Sequence, residues 1–326
     1  MKIRRFVVAA ALGMAACFLV TAAQAQSGDY PSRSVRIIVP FSPGGAVDGP
    51  IRAIAQEVSK RLRQQVVIEN RPGAGATIGS EAVAKAAPDG YTLLLASQTN
   101  AISATLYPKL AFNPVEDFVG ISLLGREPGV LVVHPSLPVK SVAELVAYVR
   151  ARPDQVDFAS SGNGSGQHLF FAMFASMAGI KPVHVPYKGS GQATTDLLAG
   201  TVAMSIPGAN GMMKHIRAGK LRPLATTGTR RSTQLPEVPT IDEAGIKGYS
   251  AYVWMGLLAP KGTPAAIVER LNREFKAALA APEVARFMDE AGIETVGSTP
   301  GEMDLYFREE RDRWARIVRE TGAKVD

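Results

Sequence analysis

A chain of 326 residues that is 46% hydrophobic can bury one large core or two medium ones. Its 36 Lys and Arg residues against 29 Asp and Glu residues give a formal net charge of +7, but the basic residues are scattered and form no stripe for nucleic acid. Cys17 is the only cysteine, which excludes an internal disulfide and a thiolate metal site.

Residues 1–25 have the three parts of a secretory signal peptide. Three basic residues lie among the first five, an uncharged apolar run follows, and Ala23-Gln24-Ala25 gives the small-x-small pattern that signal peptidase reads. A transmembrane anchor is the alternative, because the run approaches bilayer-spanning length, but no basic stop-transfer cluster follows it. We therefore expect cleavage after Ala25 and a periplasmic protein, exported by either the Sec or the twin-arginine route.

After Gln26 the chain alternates short apolar strands with amphipathic helices. In the first half, strands are predicted over residues 35–39, 66–68 and 91–96. Helices are predicted over Asp48–Leu62, with Asp48 as a candidate cap, and over about 78–85. Repeated βα units with short links favour parallel sheets wrapped by helices.

A second set of such units begins after residue 135. Predicted strands cover residues 156–159, 183–185 and 202–206, and predicted helices cover about 141–152, 167–178 and 194–199. Helices dominate toward the C-terminus, where Thr263 and Thr299 are predicted caps.

Two α/β sets and a helical tail that returns to the first predict a two-lobed α/β fold with two crossover strands. The crossovers are expected near residues 120–128 and 249–260. We place the first lobe at residues 26–126 and 254–326 and the second at residues 127–253. The gap between two such lobes is a natural ligand cleft.

The first loop that could carry a ligand is residues 40–48. Gly44 and Gly45 let the backbone approach a ligand closely, and their amides, with the start of the next helix, would point donors at an anion. A second glycine-rich loop, residues 71–79, is one residue too long for the dinucleotide pattern, and no phosphate loop occurs in the sequence. We therefore predict no cofactor.

The third loop, residues 160–168, is rich in Gly and Ser. A secreted serine hydrolase using Ser165 with His168 is an alternative, but Ser165 directly follows Gly164, where a nucleophile elbow requires an intervening residue. The histidines have no i, i+4 pairing and no carboxylate pair is present, so neither a metal site nor acid–base catalysis is predicted. We predict a binding protein that is not an enzyme.

The chain resembles the Bug family, the periplasmic receptors of tripartite tricarboxylate transporters, over nearly its whole length after the signal peptide. The order and spacing of six segments carry the resemblance: Pro40-Phe41-Ser42-Pro43-Gly44-Gly45, Glu69-Asn70-Arg71-Pro72-Gly73-Ala74-Gly75, Pro88-Asp89-Gly90-Tyr91-Thr92-Leu93, Val185-Pro186-Tyr187-Lys188-Gly189, Asp196-Leu197-Leu198-Ala199-Gly200 and Ala218-Gly219-Lys220-Leu221-Arg222.

The resemblance implies a Venus-flytrap (periplasmic-binding-protein) fold that closes on a small carboxylate, gripped largely by backbone amides and ordered water. The ligand-binding residues that it implies are Phe41, Ser42, Gly45, Ala46, Asp48, Thr77, Ser97, Thr99, Asn100 and Ala101 in the first lobe, and Ser161, Gly162, Ser165, His168 and Pro207 in the second. It also implies a monomer whose partner is a membrane permease, or alternatively a sensor protein.

Pro207 departs from the family pattern, which often has an acidic or amide residue in this region. A receptor for amino acids needs a partner for the buried ammonium group, because an unpaired buried charge is costly. We therefore expect a ligand without an amino group: a dicarboxylate, a hydroxycarboxylate or an aromatic acid.

Overall fold

The computed structural model describes residues 30–107 and 109–323. The predicted signal peptide, including Cys17, lies outside the described residues. Among the helices of the described ranges, none is both long and apolar enough to cross a membrane.

The first lobe is built on a six-stranded sheet with the order β11-β4-β10-β3-β1-β2. Its strands are β1 (Val35–Val39), β2 (Val66–Asn70), β3 (Thr92–Ala96), β4 (Phe118–Pro128), β10 (Tyr252–Pro260) and β11 (Glu294–Thr295). The central strands β1 and β3 are apolar runs. Ile37 of β1 is fully buried and pairs with Ile68 of β2 on one side and Leu93 of β3 on the other.

The second lobe is built on a five-stranded sheet with the order β7-β6-β8-β5-β9. Its strands are β5 (Val130–Val133), β6 (Asp157–Ser160), β7 (Val183–Pro186), β8 (Met204–Ser205) and β9 (Arg222–Thr226). Every residue of β5 is buried, as expected for a strand that is covered on both faces.

Ten α-helices of the described residues cover the sheets. In chain order they are α1 (Asp48–Leu62), α2 (Thr77–Ala84), α3 (Gln98–Leu106), α4 (Val142–Arg150), α5 (Gly166–Ala178), α6 (Ser190–Ala199), α7 (Ala209–Arg217), α8 (Ala265–Leu279), α9 (Pro282–Glu290) and α10 (Pro300–Thr321). Helices α8 to α10 form the predicted C-terminal tail, and α10 packs against β4 and α3 of the first lobe.

The expectation of parallel sheets is only partly right. Strands β1, β2 and β3 are parallel, as are β6, β7 and β8, but β10, β4 and β11 run antiparallel to their neighbours and β5 runs antiparallel to β8 and β9. The reason lies in the connections, because β4 and β10 run between the lobes as the predicted crossover strands. Strand β10 enters the first sheet from the opposite end to its βα units, whereas β4, antiparallel to β10, runs in the same direction as β1 to β3. Strand β5, which follows β4, runs opposite to the βα strands of the second sheet.

The helix caps also correct two predictions. Val47 rather than Asp48 precedes α1, and the Thr263 hydroxyl donates to the Pro260 carbonyl instead of capping α8. Thr299 does cap α10, in a reciprocal capping box with Glu302. The fold itself, two α/β lobes with two crossovers and a helical tail, is confirmed.

Candidate functional site

Both sheets direct the C-terminal ends of their parallel strands at one cleft between the lobes. The cleft has a volume of about 640 Å³, and its walls include residues that directly follow β3 and β6, such as Ser97 and Ser161. In open α/β sheets this edge is where ligands bind, because the loops there connect strand ends to helix starts.

Six helices begin at the cleft. The residue that precedes the first turn of each of α1, α2, α3, α5, α6 and α7 lies in the cleft wall: Val47, Ala76, Ser97, Ser165, Gly189 and Gly208. The first turn of a helix has backbone N–H groups without intrahelical partners and carries the positive end of the helix dipole. The cleft is therefore a favourable environment for negative charge.

The structure brings together nine of the fifteen residues predicted to bind a ligand. These line the cleft: Phe41, Ser42, Gly45, Ala46, Ser97, Thr99, Ser161, Gly162 and Ser165. All nine lie in the segments that follow β1, β3 and β6, which is where the sequence pattern predicts ligand contacts.

The other six lie behind the cleft wall: Asp48, Thr77, Asn100, Ala101, His168 and Pro207. Thr77 and Asn100 face a small separate cavity inside the first lobe, where the Asn100 amide donates to Ser80 Oγ and its oxygen accepts from the Ser97 N–H. Ala101 is fully buried, and the Pro207 carbonyl accepts from the Val130 N–H. These residues support the wall from behind.

Asp48 stabilises the first cleft loop, which is residues 40–48. Its carboxylate accepts hydrogen bonds from the Gly44 N–H at 3.1 Å, from Arg52 at 3.0 and 3.1 Å and from the Asn70 amide at 2.9 Å. Asn70 also donates to the Phe41 carbonyl. Burial would raise the pKa of Asp48, but these hydrogen bonds outweigh it and lower the pKa. The loop is held in shape by an ionised carboxylate.

Two stacked histidines brace the corresponding loop of the second lobe. The rings of His168 and His184 lie 3.9 Å apart and nearly parallel. His168 Nδ1 accepts from the Gly164 N–H, and His184 Nε2 lies 2.6 Å from Ser160 Oγ, which in turn bonds the Gly162 backbone. Burial lowers the pKa of each ring to about 4, and for His184 its neighbour adds to the effect. Both rings are therefore neutral at pH 7.

Lys188 is the one charged side chain among the described residues that line the cleft, and it is exposed at the rim. Three aromatic side chains, Phe41, Tyr107 and Phe170, contribute to the walls. The cleft thus combines apolar surface with backbone and hydroxyl groups, and its positive potential comes mainly from helix starts.

Several residues of the cleft were not predicted from the sequence, including Gln98, Tyr107, Gln167, Phe170 and Lys188. Gln98 accepts a hydrogen bond from the Trp254 N–H and lies against Gly166 of the opposite lobe. Lys188 and Gly189 follow β7, and this position at a parallel strand end could have indicated them. The other four lie within or just after helices, so only the packing of the lobes places them in the wall.

None of the described residues forms a group of three or more His, Cys, Asp or Glu side chains able to hold a metal ion. Two α/β lobes enclose a cleft, and six helices begin at its walls. This arrangement defines the class of two-lobed solute-binding proteins.

Within that class, residues 51–323 match the model of the tripartite tricarboxylate transporter family receptor, and the chain belongs to this family. It is 41% identical to the protein BugT of Bordetella pertussis over 319 residues, which is 96% of this chain and 98% of BugT. The resemblance to the Bug family is therefore confirmed.

Two solved structures share the fold closely. "R. palustris Rpa4515 with adipate" has a TM-score of 0.86 at 36% identity and covers 91% of this chain and 100% of its own. MatC from Rhodopseudomonas palustris with bound malate has a TM-score of 0.83 at 33% identity, covering 89% of this chain and 100% of its own. The family and these neighbours are binding proteins, not enzymes.

Proposed function

We propose that this protein captures a small carboxylate without an amino group in the cleft between its lobes and delivers it to the membrane permease of a tripartite tricarboxylate-type transporter. The ligand class is a dicarboxylate, a hydroxycarboxylate or an aromatic acid. A cleaved signal peptide would place the protein in the periplasm, where it acts as a monomer.

The observation that carries the proposal is the convergence of six helix starts on one cleft whose only charged side chain among the described residues is Lys188. Anions bind at helix starts because unpaired N–H groups and the helix dipole both favour negative charge. A cation would meet no carboxylate in the wall. The adipate and malate bound to the two neighbours are carboxylates and support the same ligand class.

The two lobes supply complementary contacts for such an anion. Ser42, Gly45 and Ser97 in the first lobe face Ser161 and Gly162 in the second, so hydroxyl and amide donors are available on both sides. The aromatic walls suit the apolar body of a longer dicarboxylate or an aromatic acid. Closing the lobes by a hinge motion would then bury the ligand.

A signalling role, in which the loaded protein contacts a sensor instead of a permease, uses the same fold and ligand and is the second candidate. The serine hydrolase alternative loses support, because Ser165 Oγ accepts from the His168 N–H as a helix cap. The His168 ring is stacked on His184, behind the wall.

A thermal-shift screen of the purified protein against carboxylates, amino acids and sugars tests the proposal. A ligand that binds only the folded state raises the apparent melting temperature by mass action. We expect a shift with carboxylates that lack an amino group and none with sugars. Tight binding of glutamate or aspartate would contradict the ligand class, and mass spectrometry of the denatured protein will show whether a co-purified ligand already fills the cleft.

A further inference from the structure

Glu127 lies near the end of β4, where the chain passes from the first sheet to the second. It is 3% exposed and pairs in the sheet with Val253, a residue of the cleft wall. Its Oε2 atom accepts a hydrogen bond from the Asn210 N–H at 2.9 Å. Its Oε1 atom is buried with no hydrogen-bond partner among the residues that the structure describes. A buried polar atom without a partner is costly, so Oε1 requires an explanation.

The geometry around Gly208 shows where Oε1 points. A Cβ atom on Gly208 would lie 2.8 Å from Oε1 and 3.6 Å from the Cβ of Ala46. Gly208 and Ala46 both line the cleft, one from each lobe. Oε1 therefore lies directly behind the cleft wall, next to Gly208, where no side chain separates it from the wall.

The surroundings keep this carboxyl group neutral. Burial raises the pKa of Glu127 to about 8, and the hydrogen bond from the Asn210 N–H opposes the rise only in part. At neutral pH the Oε2 carbonyl oxygen therefore accepts from Asn210, while the Oε1 hydroxyl is a donor without an acceptor.

The charged groups on the neighbouring elements are engaged elsewhere. Arg126, next in the strand, pairs with Glu294 of β11 and lies over the Tyr252 ring. Asp48, from the segment that contains Ala46, is held by Arg52. The cations of α7 lie in its last turn, away from the Glu127 contact at Asn210.

We propose that Glu127 is a ligand-recognition residue: the hydroxyl on Oε1 donates a hydrogen bond to a carboxylate oxygen of the bound anion, or to the water molecule that bridges to it. The inference rests on the proposed function and adds that Glu127 must be protonated for tight binding of the anion. A neutral carboxyl can donate to an anion, whereas an ionised carboxylate repels it, so the affinity falls when Glu127 loses its proton.

Calorimetric titration of the purified protein with adipate, malate and benzoate between pH 6.5 and 9 tests this inference. We expect the wild type to bind about tenfold more weakly at pH 9 than at pH 7, because most Glu127 carboxyls are ionised at the higher pH. Glu127→Gln keeps an acceptor for Asn210 and an N–H donor and cannot ionise, so its affinity should stay constant. The matched control Glu294→Gln, on a partly exposed carboxyl in β11, should keep the wild-type pH dependence.

A second variant tests the same contact by displacing the carboxyl group instead of replacing it. Gly208→Ala would place a methyl group 2.8 Å from Oε1, too close for the carboxyl to keep its position, at a negative φ that alanine tolerates. We expect it to weaken adipate binding at pH 7 about tenfold, the change that follows from losing a hydrogen bond to a charged group.

Three results would overturn the inference. The first is the same pH dependence in the wild type and Glu127→Gln, and the second is full affinity in Gly208→Ala. The third is tight binding of glutamate that strengthens toward pH 9, which would mean that ionised Glu127 accepts from an ammonium group. If adipate, malate and benzoate all fail to bind the wild type at every pH, the proposed ligand class fails and the inference falls with it.

Discussion

The stacked pair of His168 and His184 shows how single residues behind the cleft control its shape. The two rings hold the backbone of residues 160–164 through the Gly164 N–H and Ser160 Oγ. The Phe158 ring is also stacked with His184, at 4.8 Å between centroids, so the pair has an aromatic neighbour. A charged imidazolium would be poorly solvated there and could not accept the bond from Gly164.

The pair makes the protein sensitive to acid. Each folded-state pKa is about 4 against an ordinary value of 6.5, so the stabilisation is complete above pH 6.5 and is lost as the pH falls toward 4. Replacing His184 with phenylalanine keeps the stack and removes one titrating group. Lowering the pH from 7 to 4.5 reduces the free energy of unfolding. We expect this reduction to be about 2 kcal/mol smaller in His184→Phe than in the wild type.

Urea unfolding at the two pH values measures this difference. His134→Gln, which changes a half-buried histidine in a loop away from the cleft, is the matched control and should keep the wild-type acid sensitivity. An equal loss of stability in the wild type and in His184→Phe would contradict the role assigned to the pair.

Residue identity in the cleft could be predicted only where a residue directly follows a strand. Ser42, Ser97 and Ser161 were predicted because they lie in loops at the ends of apolar strands. Phe170 of the cleft wall and Glu127 behind it were not, because a residue inside a helix or strand is brought to the cleft only by the packing of the two lobes. Asp48 and His168 lie in the right segments, but their side chains turn away from the cleft to bond the loops.

At the scale of elements, the βα units position the site. Each parallel strand ends at the cleft and the following helix begins there, so strand and helix together direct backbone donors into one space. The first half of this pattern was predictable from apolar runs and glycine-rich loops. Helices α3 and α7 were missed, because α3 begins with the polar run Gln98-Thr99-Asn100 and α7 with Ala209-Asn210-Gly211, which lack a clear apolar period.

Helix α2 packs so closely on the first cleft loop that one of its residues must be glycine. A Cβ atom on Gly79 would lie 2.8 Å from the Cβ of Pro40 and 3.0 Å from the Arg71 carbonyl oxygen. We therefore expect Gly79→Ala to lower the free energy of unfolding by about 1–3 kcal/mol through overpacking. Thermal or urea unfolding will measure the change.

Gly211 in α7 is the matched control, because it is exposed and a Cβ atom there meets nothing within 4 Å. Gly211→Ala should raise the free energy of unfolding by up to about 1 kcal/mol, since alanine is the better helix former. A change of stability in the same direction for both substitutions would contradict overpacking at Gly79.

At the scale of the whole molecule, the lobes meet in a buried junction that limits how they can move. Phe170 of α5 stacks on Trp314 of α10 at 5.5 Å, and the Tyr249 hydroxyl donates to the Phe170 carbonyl. Glu310, 6% exposed, accepts hydrogen bonds from the indole N–H groups of Trp254 at 2.8 Å and Trp314 at 3.0 Å. One carboxylate therefore links the crossover strand β10 to the C-terminal helix.

Glu310→Leu removes the acceptor of two buried indole N–H groups, and we expect it to lower the free energy of unfolding by about 2–4 kcal/mol. Glu310→Gln keeps a carbonyl oxygen and should cost less. The fluorescence emission of Trp254 and Trp314, the only tryptophans in the sequence, measures unfolding in urea. It also reports the environment of the two indole rings. Equal stability of the leucine variant and the wild type would show that the junction is held by other contacts.

The measurement that tests the account most directly is calorimetric titration of adipate and malate into paired cleft variants. Ser161→Asp introduces a negative charge in the second-lobe wall and Ser42→Asp does so in the first, whereas Ser161→Asn and Ser42→Asn introduce similar volume without charge. If the cleft holds an anion between helix starts, both aspartate variants bind at least about tenfold more weakly than their asparagine partners, because the added like charge opposes the ligand. Equal affinities within each pair would contradict the claim that a carboxylate binds between the lobes.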